Sequence, residues 1–350
     1  NTQVIDKASL RLSEPKSSRI YYARSCNRRR RTSGRQSSAR AARSRVRALV
    51  YRDHRALEGL DLEYFQGDVA SAESMAKACS GCDVVYHLAV HISLRDVDWP
   101  RMRAINVEGT RNVVNACIEQ GVKRLVHFSS VHALKNEPMD RAIDETRPLV
   151  EKGDGLPYDL SKAMSELEVR RGVELGLDAF IINPTGIIGP HDPKPSHFGA
   201  VLLALARRQL PALIAGGFEW VDARDVCQGA LHAEADAPGG TKYLLSGHWI
   251  TIEEIAGHVE DVCGIPRPRF VAPMWLAQLG IPFSPIIFRL GADRSLYSSA
   301  SLQALRANPN VSHAKATKEL GYQPRPIRET LEDTLFWFQE HGLSLIHISE

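Results

Sequence analysis

From residue 46 onward, short apolar runs of strand length alternate with longer segments whose apolar residues recur at helical spacing. Such alternation is typical of parallel strands joined by helices that pack on the sheet. The pattern therefore predicts an α/β fold with an open, doubly wound parallel sheet. We predict strands over 46–50, 62–66, 84–88, 125–129 and 179–183, and helices over 71–80, 102–120 and 158–175.

Proline and glycine become frequent after Pro184, and the regular alternation stops there. We therefore divide the chain into a sheet domain over 46–185 and a smaller mixed lobe over 186–342. Ligands of open parallel sheets bind outside the carboxyl ends of the strands. Residues that end the strands of the sheet domain are consequently the candidates for function.

Basic character is confined to the first 45 residues, which hold 13 Lys or Arg and 2 Asp or Glu, while the whole chain carries a net charge of +3. The arginine run over 28–31 has no nucleic-acid-binding module around it, which disfavours a nucleic-acid partner.

The six cysteines are scattered and complete no metal-ligand spacing with histidines, and no stretch has the apolar core of a signal peptide. These observations predict a cytoplasmic protein without a metal site. No apolar stretch reaches the ~20 unbroken residues of a membrane span, so no membrane partner is expected.

Tyr158 and Lys162 are four residues apart in a predicted helix and therefore share one face. Reduction of a carbonyl group needs a hydride on carbon and a proton on oxygen, and an ammonium group beside a phenol lowers the pKa of that phenol. The two residues therefore form a candidate acid/base pair. A solvated helix face gives the same spacing, so position in the fold has to decide between the two interpretations.

Ser130 follows the predicted strand over 125–129 and lies at its carboxyl edge, and the helix that carries Tyr158 begins after one intervening loop. A serine in this position can donate a hydrogen bond to a carbonyl oxygen that gains negative charge in the transition state. Taken together, Ser130, Tyr158 and Lys162 predict a site for carbonyl chemistry.

Several ordered motifs carry a resemblance to a known family. They are 66–69 (QGDV), 84–89 (VVYHLA), 106–110 (NVEGT), 183–190 (NPTGIIGP), 220–226 (WVDARDV) and 320–324 (LGYQP), together with Ser130, Tyr158 and Lys162. Over residues 46–342 the chain resembles the extended short-chain dehydrogenases/reductases, in the NAD-dependent epimerase/dehydratase group, closest to its dihydroflavonol-4-reductase-like branch. The resemblance implies a Rossmann-like fold in which 46–185 binds a dinucleotide and 186–342 binds substrate, and it implies a homodimer.

The resemblance also implies roles for single residues. Asp68 and Val69 are expected at the adenine end of the cofactor, Lys162 at the nicotinamide ribose, and Asn106 as a residue that orders the site. Leu88, Ala89 and Val90 are expected beside the ribose, and Pro184, Thr185 and Ile187 beside the nicotinamide ring. Each position keeps a structural alternative: a turn cap for Asp68, core for Leu88 and Ala89, a strand stop for Pro184 and an exposed helix position for Asn106.

The choice of cofactor and the substrate contacts depend on residues at strand ends. The strand that ends at Leu49 and Val50 offers no carboxylate for a ribose hydroxyl, and Arg52 or Arg47 could meet a 2′-phosphate, which favours NADP; Asp53 just beyond keeps NAD open. The candidates for contact with substrate are His91, His132, His197 and Trp220, each of which has a surface or core position as its alternative.

The glycine turn that holds the cofactor phosphates in this family is missing from the sequence. Its glycines should fall near positions 26, 29 and 32, where the chain has Cys26, Arg29 and Thr32, and the apolar strand before them is also missing. One explanation is a divergent enzyme whose arginines hold the phosphates. The other, which we favour, is that residues 1–45 are an aberrant leader read in the wrong frame and that 343–350 is a non-native tail. In that case a central strand would be lost and cofactor binding would be poor.

The sequence therefore leaves three functional hypotheses. The first is an NAD(P)-dependent oxidoreductase that reduces a ketone or aldehyde of a small molecule. The second is a sugar-nucleotide epimerase or dehydratase that retains NAD. The third is a non-catalytic scaffold that has lost its cofactor.

Overall fold

The computed structural model describes residues 20–25, 45–51, 57, 59–93, 98–280 and 305–343. Its strands are β1 Ile20–Ser25, β2 Arg45–Val50, β3 Glu63–Gln66, β4 Val84–His87, β5 Arg124–Phe128, β6 Ala179–Pro184, β7 Gly186–Ile188, β8 Leu213–Ile214, β9 Gly217–Asp222, β10 Lys242–Leu245, β11 His248–Thr251 and β12 Val271–Ala272. Seven of them form the main sheet in the order β10-β6-β5-β4-β1-β2-β3. The five strands predicted from the sequence are β2 to β6, and each agrees with its predicted range to within one residue at either end.

The helices over the described residues are α1 Ala72–Cys79, α2 Trp99–Met102, α3 Gly109–Glu119, α4 Pro157–Glu174, α5 His197–Ala206, α6 Ala223–Asp236, α7 Ile252–Cys263, α8 Met274–Gly280, α9 Ala314–Leu320 and α10 Ile327–Glu340. The helix predicted over 102–120 is interrupted, because the π-helical turn Arg103–Glu108 separates α2 from α3. No described helix combines the length and the apolarity needed to cross a bilayer.

The sheet domain buries apolar side chains on both faces of its sheet. All six residues of β6 are buried, as expected for a strand covered by helices on both sides. One face packs Leu125, Ala179 and Ile181 against α1, α3 and α4, and the other packs Phe180 and Ile182 against α6. The parallel pairing of β4, β5 and β6 brings their carboxyl ends to one edge of the sheet.

β1 corrects the expectation that a central strand would be missing. This strand lies between β2 and β4 and pairs with both of them in antiparallel orientation. A gap between two strands would leave backbone N–H and C=O groups without partners, and β1 supplies those partners from inside the basic leader. The sheet is therefore mixed, with one reversed strand among parallel ones.

The smaller lobe consists of two minor sheets and the helices around them. The order of one sheet is β11-β9-β7, and β12 pairs with β8 in the other. Its core joins α5, α7 and α10 through residues such as Leu202, Ile255 and Leu335. β10 lies in the main sheet beside β6, although it follows strands of the smaller lobe along the chain. The chain therefore crosses between sheet and lobe more than once, and a single boundary at residue 186 does not separate the two.

Candidate active site

Ser130 is held at the carboxyl edge of the main sheet by backbone pairing on both sides. The preceding Ser129 donates its N–H to the Ile182 carbonyl oxygen at 2.8 Å, which continues the β5–β6 pairing. Ser130 itself is extended and caps a short turn, since its Oγ accepts the His132 N–H at 3.2 Å. The hydroxyl therefore has a fixed place just beyond the end of β5.

Tyr158 occupies the first turn of α4, whose start is set by local sequence. Pro157 takes the first helical position, and Asp159 Oδ2 accepts the Leu156 N–H at 2.9 Å in a capping box. The Ser130 side chain is close enough to Tyr158 to act on the pKa of its phenol, and both residues line one cavity. The two hydroxyl groups that the sequence predicted to cooperate therefore lie in the wall of the same cavity.

The electrostatics of Tyr158 differ from the sequence-based expectation. Burial, together with the negative charge of Asp159, raises the pKa of Tyr158 above its ordinary value of 10, and the hydrogen bond from Ser130 only partly opposes this. A lowered pKa caused by Lys162 was expected and is not found here. The physical reason is that desolvation disfavours the phenolate more than its neighbours favour it. Tyr158 therefore remains a protonated acid at neutral pH.

Lys162 lies one turn after Tyr158 and is almost fully buried. Its ammonium donates a hydrogen bond to the Phe128 carbonyl oxygen at 2.7 Å, at the very end of β5. Burial lowers the pKa of Lys162 to about 8, while the carboxylate of Glu166 works in the opposite direction. The side chain is thus a cation at neutral pH and loses its charge only slightly above it.

Two buried histidines lie beneath Lys162 on neighbouring strands. His87 and His127 face each other across β4 and β5, with ring centroids 5.1 Å apart. Burial and the charge of Lys162 lower the pKa of both imidazoles, that of His87 to about 3, so both remain neutral. Their other ring contacts are hydroxyl groups, with Thr110 Oγ1 at 2.9 Å from His87 Nε2 and Ser165 Oγ at 3.3 Å from His127 Nε2.

A buried ion pair lies next to the site and connects it to neighbouring elements. Lys242 Nζ lies 2.6 Å from Glu166 Oε2, and both side chains are buried. Asn183 donates to Glu166 Oε1 at 2.6 Å and to the Ser130 carbonyl oxygen at 2.8 Å. These contacts connect β10, α4 and β6 to the backbone of Ser130.

Asn106 is buried, so its alternative as an exposed helix residue is wrong. It is 1 % exposed and lies in the π-helical turn. Its side-chain amide accepts the His91 N–H at 2.7 Å and donates to the His91 carbonyl at 3.0 Å and to Ser161 Oγ at 2.9 Å. The loop after β4 is thereby fixed to α4.

These residues surround one cavity of about 530 Å³ between the sheet and the smaller lobe. Ser130, Tyr158 and Lys162 lie in its wall, together with Leu88, Val90, Pro184, Thr185 and Ile187. Most of the remaining wall is apolar and includes Leu134, Ile143, Val201, Leu213, Phe218 and Ile252. Among the described residues of the wall, Lys162 is the one Lys or Arg.

Other predicted cofactor residues have structural roles. Asp68 Oδ1 accepts the Ala70 N–H at 3.0 Å, which is the turn cap given as its alternative. Val69 and Ala89 belong to the core beneath the sheet. Arg52 lies outside the described residues. The hypothesis that Arg47 meets a phosphate is wrong, because its guanidinium donates to the carbonyl oxygens of Ala78 and Ser80 at the end of α1, at the amino edge of the sheet.

Three of the four candidates for substrate contact line the cavity, namely His132, His197 and Trp220. His132 Nδ1 lies 3.3 Å from Asp159 Oδ1, and its ring stacks on Phe218 with centroids 5.8 Å apart. Trp220 packs on Phe198. His91, the fourth candidate, is not part of the described wall and is held through its backbone by Asn106.

Sequence reasoning missed Asp159, Phe218 and Glu219. Asp159 lies between two residues of the predicted helix and carried no separate signal. Phe218 and Glu219 belong to β9, where a carboxylate stands inside an otherwise apolar run with two aromatic residues. The charged Glu219 between two aromatic residues of a strand was the sequence feature that could have identified this position.

Comparison with known proteins identifies one matching family and relatives that cover most of the chain. A sequence profile of the NAD dependent epimerase/dehydratase family matches residues 27–245. The sterol demethylase protein B of Methylococcus capsulatus is 33% identical over 303 residues, covering 85% of this chain and 92% of that protein. A putative dihydroflavonol 4-reductase of Synechocystis sp. is 31% identical over 307 residues, covering 85% and 88%.

Solved structures agree with this fold. The crystal structure of gox2253 has a TM-score of 0.74 and 32% sequence identity, and the match covers 87% of this chain and 93% of that one. DesIV, a dTDP-glucose 4,6-dehydratase from Streptomyces venezuelae with NAD bound, has a TM-score of 0.65 at 24% identity and covers 83% of each chain. The second likeness concerns the fold alone.

Proposed function

We propose that this chain, which belongs to the NAD-dependent epimerase/dehydratase family, reduces the ketone or aldehyde group of an apolar small molecule with a nicotinamide cofactor, NADH or NADPH. One observation carries the proposal: Ser130, Tyr158 and Lys162 lie together in the wall of one cavity, and the other walls of that cavity are mostly apolar. A site of this kind fits a carbonyl oxygen better than a charged substrate.

The nicotinamide half of the cofactor fits the residues of the cavity. Lys162 supplies buried hydrogen-bond donors for a ribose, and the buried hydroxyl of Thr185 has no hydrogen-bond partner among the described residues. Pro184 and Ile187 offer an apolar surface for the ring. When bound, the group would supply the hydride. The phosphate half does not fit equally well, because the described residues at this edge contain no glycine turn before β2.

The side chains of this site can stabilise charge and transfer a proton. Ser130 can donate its hydroxyl hydrogen to the substrate oxygen as negative charge develops there. Tyr158, held protonated by burial, can give its proton to the same oxygen. The ammonium of Lys162, fixed by the Phe128 carbonyl oxygen at 2.7 Å, has its role in this proposal as a donor to the nicotinamide ribose.

The alternative of a sugar-nucleotide epimerase or dehydratase receives less support from the cavity. A nucleotide diphosphate carries two negative charges that need cations or several N–H donors. Four arginines of the smaller lobe, Arg207, Arg208, Arg267 and Arg269, are not part of the described cavity wall. Arg207 instead contacts the Leu343 carbonyl, and Arg267 contacts Glu260.

The test is net consumption of NADPH or NADH with a panel of apolar ketones and aldehydes, at cofactor concentrations high enough to offset weak phosphate binding. Stoichiometric alcohol formation supports the proposal. Conversion of UDP-glucose or dTDP-glucose without net cofactor consumption, and no turnover of any carbonyl compound, would establish the alternative instead.

A further inference from the structure

Glu219 is a buried carboxylic acid in the wall of the substrate cavity. It lies in β9, the middle strand of the three-stranded sheet, with Phe218 and Trp220 on either side. Only 6 % of its surface is exposed, and it lines the same cavity as Ser130 and Tyr158. The acid is therefore placed among apolar groups and close to where a substrate would lie.

Among the described residues, no hydrogen-bond donor or cation contacts the carboxyl group of Glu219. Two other buried acids among the described residues are paired with cations: Asp222 with Arg224 at 2.7 Å, and Glu166 with Lys242 at 2.6 Å. Burial without such a partner raises the pKa of Glu219 to about 7. Since buried polar groups in folded proteins are nearly always hydrogen-bonded, an acid without a protein partner in a ligand cavity points to a partner on the ligand.

Glu219 is poorly suited to the carbonyl group itself. In its ionised form the carboxyl group has no proton to donate and repels the negative charge that grows on the reacting oxygen. Ser130 and Tyr158 already supply two donors at one point. The carboxyl group is therefore available for a second polar group of the substrate.

We infer that Glu219 determines specificity by accepting a hydrogen bond from a donor on the substrate, a hydroxyl or an ammonium group separate from the carbonyl that is reduced. The inference rests on the proposed function and narrows its substrate class to apolar carbonyl compounds that carry such a donor. In a cavity with few competing polar groups, one donor–carboxylate bond distinguishes strongly between a ligand that has the donor and one that lacks it.

Three related probes test this: benzylacetone, its para-hydroxy derivative and its para-aminomethyl derivative. Their binding to the full chain is measured by calorimetry at pH 8, where Glu219 is mostly ionised. We expect at least one donor-bearing probe to bind about tenfold or more tightly than benzylacetone. In Glu219→Leu this preference disappears, and benzylacetone binds at least as tightly as to the wild type. The hydroxyl and aminomethyl arms show which donor the site prefers.

Two further variants complete the design. Glu219→Gln keeps the size of the side chain and should retain part of the hydroxyl preference while losing the ammonium preference. Glu253→Gln removes an exposed acid on α7 outside the cavity wall and should behave as the wild type. Equal binding of all three probes to the wild type, an unchanged preference in Glu219→Leu, or no binding of either donor-bearing probe would overturn the inference.

Failure of the proposed function would look different. Calorimetry requires no hydride transfer, so a donor preference that depends on Glu219 can be measured even if no carbonyl compound is reduced. Conversely, if the chain reduces benzylacetone and its derivatives with equal kcat/KM, the proposed function holds and only the inference about Glu219 fails.

Discussion

Burial sets the protonation states of the residues at the candidate site. The pKa of Tyr158 is raised, that of Lys162 is lowered to about 8, and that of Glu219 is raised to about 7, with desolvation as the largest cause in each case. Each group is thereby held closer to its neutral form than it would be in water. Three expected outcomes follow from these single residues.

Tyr158→Phe removes the proton donor and leaves the ring in place. We expect kcat/KM for carbonyl reduction to fall by about a hundredfold to ten-thousandfold, which is the usual contribution of a positioned acid. Tyr243→Phe is the matched control, because the Tyr243 hydroxyl bonds to Glu319 away from the described cavity wall. Activity of Tyr158→Phe equal to that of the wild type would contradict the assigned role.

The charge of Lys162 predicts the alkaline limb of the pH profile. Its ammonium is present below a pKa of about 8 and is lost as the pH rises through that value. We therefore expect kcat/KM to decline above about pH 8, since this parameter reports the free enzyme. His87 and His127 remain neutral across this range, so neither should produce the same limb. Glu219 has a pKa of about 7 in the same cavity, and Glu219→Gln should keep a limb that belongs to Lys162. In Lys162→Met the remaining activity should show no such decline.

Glu219 also predicts how stability depends on pH. Its native pKa of about 7 lies above the ordinary value of 4.5, so the native state keeps a proton that the unfolded chain releases. This contribution is fully present below about pH 4.5 and is lost as the pH rises through about 7. Between pH 5 and 8 the free energy of unfolding of the wild type should drop by about 2.5 kcal/mol relative to Glu219→Gln. Chemical denaturation at both pH values measures this, with Glu253→Gln expected to follow the wild type.

At the scale of elements, the ion pair between α4 and β10 is the strongest polar constraint near the site. Lys242→Met leaves the buried carboxylate of Glu166 without its cation, and breaking such a pair typically costs about 3 to 5 kcal/mol. We expect a loss of this size in the free energy of unfolding by urea. The double variant Lys242→Met with Glu166→Gln should recover part of it, because no unpaired charge then remains. Lys77→Met breaks an exposed pair on α1 and should cause no measurable loss.

At the scale of the whole molecule, β1 decides where the basic leader is attached. The leader segment over 26–44 leaves β1 at Ser25 and enters β2 at Arg45, and these two residues pair with each other. Arg24 pairs with Val84 at the amino end of β4, so this junction lies at the edge opposite to Ser130. The arginines of this segment lie outside the described residues, so the hypothesis that they hold the phosphates stays a prediction.

Because the glycine turn for the cofactor phosphates is missing from the sequence, we expect cofactor binding to depend on the nicotinamide half. Titration of the full chain should give a dissociation constant for NADPH in roughly the millimolar range, within a few fold of that for reduced nicotinamide mononucleotide. Lys162→Met should weaken both ligands alike, because its contact is with the part that they share. A micromolar dissociation constant for NADPH would contradict this expectation.

Sequence by itself determined the local features of this protein. The bounds of β2 to β6 follow from apolar runs, and the position of Tyr158 and Lys162 on one helix face follows from their spacing of four residues. Both depend on residues that are near one another along the chain. Tertiary structure decided the direction of β1, the pairing of Lys242 with Glu166 across 76 positions and the burial of Glu219. The physical reason is that pairing partners and desolvation are set by contacts between distant segments, and no local spacing records them.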